Sequence, residues 1–140
     1  MRRLLAILLL VTLCLPAHAQ QVKKPAPTCD TPALPYTTGE MQDIFDTYNR
    51  EYWDGKLPKT VIVWTGLPKQ RYGETEKQTD GSFIIRLDVI KNKEQNVAKT
   101  TLLHEMCHVK TYGKDKTDHG DRWHAELHRI MLEGAFDDIV

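Results

Sequence analysis

The chain has 140 residues, with 19 basic and 19 acidic side chains, six histidines and 41% hydrophobic residues. That balance lacks the basic surplus of a surface built to track phosphates, and the length suits one small domain. Three cysteines are too few for a disulfide scaffold.

Met1-Arg2-Arg3, the apolar run from Leu4 to Leu15 and then Pro16-Ala17-His18-Ala19 follow the order of a secretory signal peptide, so cleavage after Ala19 and a secreted or periplasmic location are expected. The run has 12 residues, whereas a membrane-spanning helix needs about 20, so no stable membrane anchor is expected after cleavage. Removing residues 1–19 leaves 17 basic against 19 acidic groups. This small acidic surplus points away from nucleic acid as a partner and toward a protein or peptide. Residues 20–36 hold four of the seven prolines and show no apolar periodicity, which predicts a linker or extended tail. Of the cysteines, Cys29 and Cys107 survive cleavage; Cys107 lies inside a predicted helix, where a small buried thiol fits at least as well as a bridge.

The domain itself is expected over residues 37–140. Thr37-Thr38-Gly39-Glu40 is a capping box, and Met41, Ile44, Phe45, Tyr48 and Tyr52 recur at three- and four-residue steps, predicting a first helix ended by Asp54-Gly55. Thr60-Val61-Ile62-Val63-Trp64 reads as a buried strand. A weak strand is expected over Arg71–Glu76 and a clear one over Ser82–Leu87, joined at the turn signal Asp80-Gly81. Asn92 with Gln95 is expected to cap a long helix from about Lys93 to Tyr112, ended by Gly113. After a polar loop, Trp123, Leu127, Ile130 and Met131 mark a last helix packed on it. The fold class is therefore α+β, with about three helices on a sheet of about three strands.

His104-Glu105-Met106-Cys107-His108 falls in the second of these helices. Residues four apart share a helix face, so His104 and His108 can aim two imidazole nitrogens at one metal ion with Glu105 beside them. A hydrolytic zinc site usually takes three protein ligands and keeps its fourth position for water. His119, His124 and His128 are all candidates for the third, and every histidine except His18 falls between 104 and 128.

Taken together, the run from Tyr48 to Pro58 (Tyr-Asn-Arg-Glu-Tyr-Trp-Asp-Gly-Lys-Leu-Pro), His104-Glu105-Met106-Cys107-His108 and His119-Gly120 with Trp123 resemble the SprT-like (Spartan-related) zinc metallopeptidase family over roughly residues 40–132. The resemblance implies a small zincin-like domain holding one Zn2+ per chain through His104, His108 and His119, with Glu105 as the catalytic carboxylate. It implies peptide-bond hydrolysis by metal-activated water, Glu105 serving as general base and then acid. Two departures accompany it: neither a Cys-rich ribbon nor a basic DNA-binding extension is expected after the last helix, and the expected export signal sets the chain apart from relatives that act on DNA-bound proteins inside the cell. The rival readings are a non-catalytic, zinc-stabilised binding domain and a DNA-associated protease. By analogy with zincin proteases, Ser82–Leu87 is expected to border the cleft and hold an extended substrate. Tyr72, Tyr112 and Arg122 are candidate oxyanion helpers, each more readily read as an ordinary packing or surface residue.

Overall fold

The computed structural model describes residues 33–139. The expected signal peptide, most of the proline-rich segment and Cys29 lie outside them. Three helices, α1 (Thr38–Trp53), α2 (Gln95–Thr111) and α3 (Asp121–Leu132), accompany strands β1 (Thr60–Thr65), β2 (Gly73–Lys77) and β3 (Phe83–Asp88). This is the α+β architecture expected of the sequence.

The capping box forms as read. The Glu40 backbone N–H donates to Thr37 Oγ1, and the Thr37 N–H donates to the Glu40 carboxylate at 2.7 Å. At the other end Asp54 adopts a left-handed conformation (φ 53°), and both Asp54 and Gly55 donate their N–H groups to Asn49 O. Asn49 Oδ1 then accepts from the Leu57 N–H at 3.1 Å, turning the chain toward β1. Trp53 Nε1 donates to Glu126 Oε1 at 2.6 Å, and Arg129 bonds the same oxygen and the Tyr52 carbonyl. The Tyr48–Pro58 motif is thus the brace between α1 and α3.

The sheet order is β1-β3-β2, with β1 parallel and β2 antiparallel to β3. β3 is therefore the shared inner strand, and Phe83, Ile85 and Leu87 point from it into the core with Ile62 of β1. α2 lies over β2 and β3 and also meets α1 and α3, burying Leu102, Leu103, Met106 and Cys107 completely. β2 contributes no side chain to that core.

The two sheet edges differ. Along β1, the Gln42 side chain of α1 donates to Thr60 O at 3.2 Å and accepts from the Ile62 N–H at 3.2 Å, so one amide occupies a free donor and a free acceptor of the edge. Along β2, Asp88 N donates to Tyr72 O and Gln78 N donates to Ser82 O. Antiparallel pairing alternates, so the main-chain groups of Gly73, Thr75 and Lys77 face away from β3.

Three expectations need correction. Asn92 does not cap α2: it is fully buried, and its amide is used up by Tyr72 O (2.8 Å), Asp88 O (2.9 Å) and the Thr101 hydroxyl (2.7 Å). The helix consequently starts two residues later than expected, at Gln95, with Glu94 as N-cap and no side-chain cap bond. Met131 is 52% exposed rather than packed on α2, because Ile130 takes the buried position of that turn. Ser82–Leu87 cannot hold an extended substrate through its main chain, since β3 is paired on both sides.

Candidate metal centre

His104 and His108 extend from one face of α2, as the four-residue spacing requires. His119 comes from the loop entering α3. The loop is anchored by Asp115, whose Oδ2 accepts from the Arg122 and Trp123 N–H groups at 3.0 and 3.2 Å and so does the work of an N-cap for α3. Gly120 permits this: a Cβ there would lie 2.5 Å from Asp115 Cβ. The Trp123 indole, 4% exposed, packs against all three rings, with centroids 4.6, 5.4 and 4.4 Å from His104, His108 and His119.

The three Nε2 atoms form a near-equilateral triangle with edges of 3.2 Å (His104–His108), 3.2 Å (His108–His119) and 3.0 Å (His104–His119). A point roughly 2.0–2.1 Å from all three, the zinc–imidazole distance, lies about 1 Å off that plane. The donor set therefore fits a single tetrahedral ion with one position left over, and among the described residues this is the one His/Cys/Asp/Glu group able to hold a metal ion. His124 and His128 are exposed on α3 and stay outside it. Burial, followed by the neighbouring imidazoles, pushes His104 down to about 4, and burial with His119, opposed by Asp118, does the same to His108. Both rings are neutral near pH 7, the form that binds metal.

Glu105 sits between the two ligands of α2 and is 5% exposed. Its Oε2 accepts from the Thr75 hydroxyl at 2.7 Å. A Cβ on Gly73 would fall 2.6 Å from its Oε1, so the carboxyl lies across the bare Cα of β2. Burial pushes the Glu105 carboxyl up to about 7, against the Thr75 hydrogen bond; the Glu74 charge adds to the rise and Arg71 opposes it.

These groups share a cleft of about 640 Å³, bounded by the segment Gln70–Thr75 on one side and by His104, Glu105, His108 and His119 on the other. Tyr72 and Tyr112, named in advance as oxyanion candidates, both line it and are half-exposed. Arg122 does not line it. Gly73 and Thr75 were not singled out in the sequence; Gly-Glu-Thr-Glu-Lys has no apolar alternation to mark it. Cys107, on the helix side away from the cleft, is a free buried thiol pushed up to about 12 by that burial, with Glu126 adding to the rise.

The family model described as the SprT-like family matches residues 41–137, a span that runs from α1 past the end of α3. No curated protein matches the chain.

Proposed function

Because the chain belongs to the SprT-like family, we propose that it is a zinc-dependent endopeptidase, exported and cleaved after Ala19, that cuts peptide bonds in protein or peptide substrates. The observation that supports this most is a buried carboxyl, Glu105, set beside three convergent imidazoles in a cleft bordered by an edge strand with one free side. A structural metal site needs the imidazoles alone; it has no use for a carboxyl held in the same cleft.

His104, His108 and His119 would hold the ion, with burial keeping the first two as neutral lone-pair donors. Zinc, when bound there, supplies a Lewis acid that polarises a carbonyl and makes water acidic enough to react near neutral pH. Glu105 takes the proton of the attacking water and returns it to the leaving amine. A carboxyl with a pKa of about 7 without metal would titrate lower beside a cation, which favours the ionised base. The outward main-chain groups of Gly73, Thr75 and Lys77 pair with an extended substrate, a role moved here from β3 to β2.

Glu105→Gln tests the reading: peptide cleavage should fall at least about 10³-fold with zinc content and thermal midpoint unchanged. His119→Ala should lose both zinc and cleavage, whereas His124→Ala should keep both. Unchanged cleavage in the Gln variant removes Glu105 from the reaction. A zinc-loaded wild-type chain that cleaves nothing leaves a zinc-stabilised binding domain.

A further inference from the structure

A Glu carboxyl rotates about a broad, nearly two-fold terminal torsion, so a side chain asked to move one proton needs something to hold its plane. Among the described residues, the side chain that bonds the Glu105 carboxyl is Thr75, 30 positions away on the edge strand. The Thr75 hydroxyl is 2.7 Å from Oε2 and 3.2 Å from the carbonyl oxygen of Glu105, so it sits over both ends of that residue. Gly73, two residues back and on the same face of β2, leaves the space that Oε1 occupies. The β2 start is itself fixed, because Asn92 ties the Tyr72 carbonyl to β3 and to α2. Thr75 also has a second side: its N–H and C=O face away from β3, toward the open edge.

We propose that Thr75 is a positioning residue that joins substrate docking to the orientation of Glu105. Its hydroxyl holds Oε2 and leaves Oε1, the oxygen lying against Gly73, as the one to take the proton, while its main chain receives the extended substrate. One residue thereby fixes the distance between the peptide bond to be cut and the oxygen that accepts the proton. This rests on the peptidase reading, and it adds a residue that neither the metal-ligating histidines nor Glu105 itself requires.

The test compares Thr75→Val, which keeps the branched shape and loses the hydroxyl, with Thr75→Ser, which keeps the hydroxyl. Both are made in the full chain, loaded with zinc and assayed on a fluorogenic peptide, with zinc content, thermal midpoint and the carbon-13 carboxyl resonance of labelled Glu105 measured alongside. The Val variant is expected to lose about 10- to 100-fold in kcat with KM within about threefold. Its zinc content should be unchanged and its carboxyl resonance displaced. The Ser variant should recover kcat to within about threefold of wild type and return the resonance. A Val variant with wild-type kcat, or a Ser variant as slow as Val, overturns the positioning role while the peptidase reading stands. A resonance displaced in the Val variant, with a zinc-loaded wild-type chain that cleaves nothing, keeps the contact but overturns the peptidase reading and, with it, the role proposed for Thr75.

Discussion

The two edges of this three-stranded sheet face opposite demands. The β1 edge is closed: Gln42 reaches down from α1 and takes the Thr60 carbonyl and the Ile62 N–H with one amide. The β2 edge is left open where it borders the cleft, with Glu105 lying across its inner face. An unpaired strand edge is a hazard for self-association; one α1 amide covers part of the edge on the β1 side, while on the β2 side the free main chain borders the cleft. The difference teaches that the side of the molecule carrying the candidate metal centre is marked by absence of packing: β2 is a strand of small and charged residues that lends nothing to the core and lies against the Glu105 carboxyl.

Three variants can break or sharpen that contrast. The largest effect is expected for Gly73→Ala at the open edge. Its Cβ would meet Glu105 Oε1 at 2.6 Å, and the side chain that must yield is the flexible one proposed as general base. Cleavage should drop by about 100-fold while the folded structure persists; a rate within a few-fold of wild type would show that the carboxyl tolerates displacement.

Next is Asp88, at the end of the strand both edges share. Its carboxyl accepts the N–H groups of Leu67, Ile90 and Lys91 at 2.7, 3.0 and 2.8 Å. Burial alone would raise its pKa, but those backbone donors and the Lys91 ammonium outweigh burial and hold it below the usual carboxylate value. Since the folded value lies below the unfolded one, the stabilisation is present above the unfolded carboxylate pKa and is lost as pH falls through the folded value. Asp88→Asn should cost about 2 kcal/mol at pH 7, and the gap from wild type should close as denaturation is followed into acid. A gap independent of pH would show that the charge is irrelevant.

The smallest effect is expected at the closed edge. Gln42→Ala should cost about 1 kcal/mol in denaturant unfolding, with kcat unchanged per folded molecule. Concentration-dependent association should increase as the edge is uncovered; a monomer at all concentrations would mean the edge is protected by α1 without the amide.

What was legible in the sequence was what local chemistry decides. The capping box at Thr37 and Glu40 formed because its partners are three residues apart, and β1 and β3 announced themselves through β-branched runs bounded by turn residues. The pair His104 and His108 was legible for the same reason, since a helix alone sets their spacing. The third ligand was legible chiefly through the family resemblance, which names His119: distance along the chain does not separate it from His124 and His128, and the path of the loop anchored by Asp115 brings it to the other two. Strand order was only half legible: the Asp80-Gly81 turn signal announces the β2–β3 hairpin, but nothing local says that β1 takes the other side of β3, which is why Ser82–Leu87 was expected at the cleft and Gly73–Thr75 is found there. Asn92 misled because an amide before a helix is a good cap on paper, yet a buried carbonyl and hydroxyl made better partners.

That β2 lends nothing to the core carries an evolutionary corollary. The Glu74, Glu76 and Lys77 side chains can drift without a cavity opening or a helix shifting, because Gly73 and Thr75 are the β2 residues packed against Glu105. Under the proposed peptidase function, selection can therefore retune which sequences are gripped, position by position, on a wall whose alteration leaves the rest of the domain standing.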